Sequence, residues 1–384
     1  MKLPFIHTSL FLIGLFLCHA AFSQSDRHYP KFSWDKVPVA FHFGKKGDLL
    51  TKKEAKFIAS HSNFVVLEKA HGFPKYKYSE ESIAADAKVL KALNSDMKVV
   101  FYWNAFLDYS MYKAHRDYQN KEDWWLKTAE GEYDLKDGKI KRYDLSNPEV
   151  RNWWSDVAKK NLDNKNIDGV FFDALNQVTS PGNKRLWGID KYNAIQQGLK
   201  DLIKETRAKI GDDKLIVYNG IRSTSVRNTG NDFPENTDAI MIEHFGYFNS
   251  KTKESMLKDI QEMEKAGKSG KIVVFKAWPE NAWLNKAFMK KSEKEKEEIS
   301  KEHLNFALTS FLAGAQKHSY LIYNWGYRLK MGSLLWYPEF DKPLGKPLND
   351  MQTNGWILTR NYEHASIWVD LENKKAKIDW KKSN

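Results

Sequence analysis

The chain has 384 residues, with 61 Lys and Arg against 49 Asp and Glu for a net charge of +12. It is long enough to bury a large core, and one cysteine, Cys18, excludes a scaffold held by disulfides. The charge would suit an acidic polymer, a nucleic acid or an anionic surface. Lys286 to Lys301, however, mixes both signs as a solvated helix face does, and no nucleic-acid partner is expected.

Lys2, the apolar run Leu10 to Leu17 and the small residues Ala21 and Ser23 have the order of a signal peptide over residues 1–23, cleaved before Gln24. The apolar run is short for a bilayer span, and Leu17 before Cys18 argues against lipid attachment. The mature protein is then secreted or periplasmic, with no cysteine. Losing only Lys2 among the charged residues leaves it at +11. No later segment is apolar enough for membrane insertion.

From there, β-branched or aromatic runs alternate with amphipathic segments, the pattern of parallel strands joined by helices. Strands are expected at Val37 to Phe43, Phe64 to Leu67 and Lys98 to Trp103, with helices over Thr51 to Ser60 and Glu80 to Leu93. A long irregular stretch follows, Asn104 to Ser146, whose aromatic content argues against disorder. Asn147, Pro148 and Glu149 open a helix with a cap, a proline at its first position and an acid in its first turn. Strands then fall at Ile167 to Asp173, Leu215 to Asn219, Ala239 to Glu243, Lys271 to Ala277 and Tyr320 to Trp325. Helices are expected over Lys191 to Lys209, Lys253 to Lys265 and Ser292 to Gln316. Tyr362 to Trp380 forms two alternating strands around an Asn-Lys turn. The reading is an α/β fold: a closed (β/α)₈ TIM barrel over residues 24–335 with a small C-terminal β appendage over 336–384. An open doubly wound sheet is the competing reading, and its nucleotide-binding version lacks support, because no GxGxxG or P-loop follows a strand.

Barrels of this kind carry their active sites at the C-terminal ends of the strands. Twelve residues stand there: His42, Glu68, Trp103, Asn104, Asp173, Asn219, Glu243, His244, Lys276, Trp278, Asn324 and Trp325. Each could singly be a cap or a satisfied buried group, but together they are the groups that bind sugar hydroxyls and sugar faces. Asp173 and Glu243 each end an apolar run, where an unpaired carboxylate is costly. They are the expected catalytic pair, and the other ten the substrate-binding set. The sequence has no HExxH, no clustered metal ligands and no GxSxG elbow, so neither metal nor cofactor is expected. Two carboxylates on different strands suit glycoside hydrolysis. Glu243 lies between Met241-Ile242 and Phe245, an apolar neighbourhood that favours a proton. Asn176 and Gln177 after Asp173 are expected to donate to its anion. The +11 mature charge with Lys276 at a strand end suggests a basic rim suited to acidic glycans.

The segments Tyr143-Asp144-Leu145-Ser146-Asn147-Pro148-Glu149-Val150-Arg151 and Asp168-Gly169-Val170-Phe171-Phe172-Asp173 carry a resemblance. So do Leu344-Gly345-Lys346-Pro347, Arg360-Asn361-Tyr362 and Ala365-Ser366-Ile367-Trp368-Val369-Asp370. With these the chain resembles the TIM-barrel families of hypothetical glycoside hydrolases, in particular family fifteen, which implies a barrel hydrolase without fixing a substrate. At the level of strand position it is also similar to retaining α-glycosidases of the dextranase and α-galactosidase type. That likeness implies Asp173 as nucleophile and Glu243 as acid/base. Two other readings stay open: a polysaccharide lyase on uronate polymers, with a Tyr, a His or Lys276 as base and neutraliser, and a non-catalytic carbohydrate-binding barrel. The sugar, the linkage, endo or exo action and the oligomeric state are left open.

Overall fold

The computed structural model describes residues 28–221, 236–248, 250–280 and 282–381. The expected signal peptide, with Cys18 and the cleavage site before Gln24, lies outside the described residues. Eight parallel strands pair in chain order: β1 (Phe41–Phe43), β2 (Phe64–Leu67), β3 (Lys98–Asn104), β4 (Gly169–Asp173), β5 (Leu215–Ile221), β6 (Ala239–Phe245), β7 (Ile272–Ala277) and β8 (Ser319–Tyr323). They read as near-continuous apolar runs because both faces are covered, and β6 is buried at every position. The sheet closes on itself. Val39, just before β1, bridges Leu321 of β8 in parallel, and the Leu321 N–H donates to the Pro38 carbonyl at 2.8 Å. The expected closed barrel is therefore observed.

Among the described residues six long helices cover the outside: α1 (Lys52–His61), α2 (Ser79–Leu93), α3 (Pro148–Leu162), α4 (Ile189–Ile210), α5 (Lys253–Lys268) and α6 (Glu293–Gly314). Their starts are written locally. Thr51 with Glu54 and Ser292 with Glu295 form reciprocal capping boxes, and the Asn147 side chain accepts from the Glu149 N–H ahead of Pro148. At the N-terminal end of the barrel Asp168 accepts from Lys91 and from the Val99 N–H, both at 2.9 Å, so this acid ties strands together at the end opposite Asp173.

The irregular stretch after β3 is ordered by its rings. Tyr118 packs on Tyr143, Trp124 and Trp153, and its hydroxyl donates to the carbonyls of Trp124 (2.9 Å) and Arg142 (2.8 Å). Beyond the barrel, β9 (Gln352–Asn354), β10 (Ile357–Asn361), β11 (Ala365–Asp370) and β12 (Lys375–Trp380) form one antiparallel sheet. Its inward residues Leu358, Ile367 and Val369 are buried. The sheet thus has two strands more than expected. β9 is polar and fully exposed, so it carries no apolar alternation to detect. No helix among the described residues is long and apolar enough to cross a membrane.

Candidate active site

Strand alternation decides which side chains enter the barrel mouth. On β3, Tyr102 and Asn104 point inward and Trp103 points outward. Trp103 packs against Tyr112 and Trp154, and its indole donates to the Trp154 carbonyl at 3.3 Å. On β4, Phe171 and Asp173 point inward, with Phe171 stacked on Tyr102. Asp173 accepts from the Tyr102 hydroxyl, from Asn104 Nδ2 at 3.2 Å and from Asn219 Nδ2 at 2.8 Å.

Two backbone irregularities aim the neighbouring strands. Between its pairings at Tyr218 and Ile221, β5 carries one residue more than β6, and between Ile242 and Phe245, β6 carries one more than β7. Such bulges redirect side chains. Here they fall at Asn219 and at Glu243-His244, and His244 has a φ of 72°. Asn219 Nδ2, already bonded to Asp173, lies 3.2 Å from Glu243 Oε2. One amide nitrogen thus bridges the two carboxylates. Their bridged oxygens can be no further apart than the two bonds laid end to end, about 6 Å, and with the ordinary angle between amide N–H bonds the gap is about 5 Å. Glu243 Oε1 accepts from the Tyr327 hydroxyl at 2.7 Å, and His244 Nε2 lies 3.0 Å from that hydroxyl and 3.4 Å from Glu243 Oε2.

Around Asp173 lies a charged network. Glu68 receives Lys69 Nζ at 2.9 Å and His42 Nε2 at 3.0 Å. Burial works to raise the Glu68 carboxyl, but Lys69 and His42 outweigh it and hold it below the usual carboxylate value. Lys69 also donates to the Tyr102 hydroxyl at 3.2 Å and sits over the Tyr102 ring. Burial alone would lower its ammonium, and the Glu68 and Asp173 carboxylates raise it. Burial, followed by the nearby carboxylates, pushes the phenols of Tyr102 and Tyr327 far up. Both therefore stay protonated donors.

Lys276 is fully buried and held by Asn324 Oδ1 (3.0 Å) and the Gly326 carbonyl (3.3 Å). Burial lowers it to about 8 against the pull of Glu243 and Glu68. It supports the floor of the site and is no part of a basic rim. Asn324 is engaged by Lys276 and by Ser333. Trp278 borders His244 and Tyr327. Trp325 packs on Phe288 and over Gly332, as Trp103 packs into the helix layer. The structure thus brings His42, Glu68, Asn104, Asp173, Asn219, Glu243, His244, Lys276 and Trp278 together, and turns Trp103 and Trp325 into packing. Gln177 accepts from Arg142 (3.3 Å), and among the described residues neither it nor Asn176 donates to the Asp173 carboxylate. That task falls to Tyr102, Asn104 and Asn219.

Sequence reasoning missed Lys69, Tyr102 and Tyr327. Tyr102 was legible as the residue two before Asn104 on one strand face. Tyr327 lies past the last strand and had no signal. A groove of about 1120 Å³ opens elsewhere, on the outer wall between α2 and α3, with Trp124, Trp153, Arg116 and Asp156 in its lining. It contains none of the strand-end carboxylates, and the convergent chemistry is at the mouth. No group of three or more metal-ligating side chains occurs among the described residues.

A model of hypothetical glycosyl hydrolase family 15 matches residues 91–366, from α2 to β11. The chain belongs to this family. It is accordingly a glycoside hydrolase, and the matched span includes Asp173, Asn219, Glu243 and Tyr327. No curated protein sequence matches it. Among solved structures, α-L-fucosidase isoenzyme 2 from Paenibacillus thiaminolyticus is 13% identical with a TM-score of 0.51, over 81% of this chain and 48% of that one, and shares the fold. The glycoside hydrolase domain of PelA from Pseudomonas aeruginosa is 13% identical over 78% of this chain and 96% of its own, with a TM-score of 0.46. An α-amylase from Geobacillus thermoleovorans is 12% identical over 88% and 87%, with a TM-score of 0.48.

Proposed function

We propose that this family member cleaves an oligosaccharide or polysaccharide by a retaining mechanism, with Asp173 as nucleophile and Glu243 as acid/base. The observation that carries the reading is the shared amide of Asn219. A gap of about 5 Å between the bridged oxygens suits a retaining pair, whose carboxyls lie ~5–5.5 Å apart, better than an inverting pair at ~6.5–9.5 Å. Asp173 accepts every hydrogen bond it makes among the described residues, the environment of an anion ready to attack. Glu243 has Tyr327 and His244 beside it, polar groups through which a proton can be exchanged with the mouth.

In the first step Glu243 gives its proton to the glycosidic oxygen while an Asp173 oxygen bonds to the anomeric carbon, and the leaving sugar departs as an alcohol. In the second, Glu243 takes a proton from water, whose oxygen displaces Asp173 from the same carbon. Lys69 and Glu68 would hold the hydroxyls of the bound sugar, with the buried His42 and Asn104 orienting Glu68 and Asp173 from beneath. The substrate is a carbohydrate. Among the described residues near the pair, an acidic one could draw on Lys69 and not on the buried Lys276. The signal-peptide pattern supports an activity outside the cytoplasm, with a mature start at Gln24. N-terminal sequencing of exported material checks that start, and lipid on Cys18 would overturn it.

The experiment is a polysaccharide screen that follows reducing ends and ultraviolet absorbance, with ¹H NMR of the first-formed anomer. Reducing ends of retained configuration are expected. An unsaturated, absorbing product would mean elimination, and an inverted anomer would make Asp173 the base that activates water.

A further inference from the structure

The two carboxylates face different surroundings. Asp173 is ringed by polar groups, Glu68, Lys69, Tyr102 and Asn104. On the Glu243 side the ring centroids run as a chain: His244 to Phe248 at 4.4 Å, Phe248 to Tyr247 at 4.5 Å and to Trp283 at 5.5 Å, and Trp283 to Trp278 at 5.0 Å and to Tyr327 at 4.7 Å. This chain of rings stands apart from the barrel's hydrophobic core. Tyr247, Phe248, Trp283 and Tyr327 are only partly buried. The Trp278 indole N–H, on a side chain 3% exposed, has no hydrogen-bond partner among the described residues. The loops that present the rings adopt positive φ at His244 (72°), Phe248 (48°) and Glu280 (51°), conformations that non-glycine residues rarely hold without a tertiary reason.

A glycosidase must place its acid at the oxygen of the departing sugar and its nucleophile beneath the anomeric carbon of the retained one. We propose that the wall of Tyr247, Phe248, Trp283 and Tyr327, backed by the buried Trp278, is the aglycone subsite, which stacks the pyranose ring on the leaving-group side of the scissile bond. This rests on the assignment of Asp173 and Glu243 above and gives the glycan a direction. The sugar that becomes the glycosyl ester is gripped through hydroxyls by Glu68 and Lys69. The sugar that leaves presents its C–H face to the rings between β6 and β7. Flat rings supply area for an apolar sugar face while the polar side reads the ring that reacts. The enzyme is thereby demanding for the sugar before the cut and tolerant of the one after it.

Trp283→Ala tests this against two kinds of substrate. The first are reducing-end-labelled pentasaccharides of the cello, malto, chito, deacetylated chito and polygalacturonate series. The second is the glycosyl fluoride of whichever sugar is cleaved, which has no leaving sugar and needs no acid. The variant should raise KM for the cleaved pentasaccharide about ten-fold more than for the fluoride, and Trp283→Phe should recover most of the loss. Equal effects on both substrates, or an unchanged pentasaccharide KM, would overturn the subsite. Full activity in Asp173→Asn with the differential effect intact would remove the nucleophile and leave the wall standing. If no pentasaccharide is cleaved by the wild type or quenches the tryptophan fluorescence of Glu243→Gln, both readings fall together.

Discussion

Arg360 of β10 is 2% exposed, and its role can be measured. Its Nη1 donates to the Ala315 carbonyl and to those of Ala313 (3.3 Å) and Leu312 (3.5 Å), and its Nε donates to the Asn349 carbonyl at 3.0 Å. Three of these carbonyls end α6, where a helix has no backbone donors left and carries partial negative charge. α6 has no basic residue in its own last turn, so the cation comes from the C-terminal sheet. Arg360→Met removes it and leaves the carbonyls buried. A hydrogen bond from a charged donor contributes about 1.5–3 kcal/mol and a buried carbonyl left without a donor costs about 1–3 kcal/mol, and since these are not additive the whole loss is about 4 kcal/mol. Unfolding entropy near 2.1 cal/mol/K per residue gives about 0.7 kcal/mol/K for about 350 residues, so a loss of about 4 kcal/mol lowers Tm by about 5–6 °C. Arg360→Lys keeps the charge without the planar fork and should lose about half as much. Calorimetry at a fixed scan rate reads the shift. An Arg360→Met melting within about 1 °C of wild type would refute the argument that these carbonyls depend on the guanidinium.

Asn219→Ala should lower kcat/KM by about a hundred-fold with the melting temperature little changed, because a charge-assisted hydrogen bond to Asp173 and a second bond to Glu243 leave the pair at once; a loss under about three-fold would deny Asn219 a role in positioning it. Asp173→Asn and Glu243→Gln should each cut kcat by about a thousand-fold or more and keep the native circular dichroism spectrum. Full turnover in either removes that residue from the mechanism. Lys276 binds its proton more weakly folded, at about 8, than at its ordinary 10.5. Between those values the unfolded chain therefore holds more protons, and wild type should gain up to about 3 kcal/mol over Lys276→Met as pH rises from about 8 to about 10.5; a flat difference in urea melts across that window would contradict the buried charge. Helix propensity says Gly198→Ala should stabilise α4 by about 1 kcal/mol. A Cβ there would lie 1.9 Å from the Leu145 carbonyl, so the variant should instead lose about 1–3 kcal/mol, and a higher Tm would refute the close approach.

The strands and helices were legible because their causes are local. Apolar runs such as Phe64 to Leu67 and Val170 to Phe172 need cover on both faces, and Asn147-Pro148 carries the chemistry of a helix start. The positions of Asp173 and Glu243 followed from the same logic, since a carboxylate ending a buried run stands at the barrel mouth. What the sequence left undecided depends on contacts between distant segments. Whether Trp103 or Tyr102 faces the mouth is a matter of register, and one step along a strand reverses every side chain. The donors to Asp173 come from β3 and β5 and not from the adjacent Asn176 and Gln177, because the barrel closes those strands around it. Glu243 accepts from Asn219 and Tyr327 even though Met241, Ile242 and Phe245 flank it in sequence, because a bulge turns it toward them. Lys276, a strand-end cation in sequence, became a buried support because Asn324 and Gly326 close over it. The sequence alone determined the period, the caps and which strand ends carry charge. Tertiary structure decided which of those ends share a hydrogen bond, since one amide can reach two carboxylates only after strands far apart in the chain have been brought side by side.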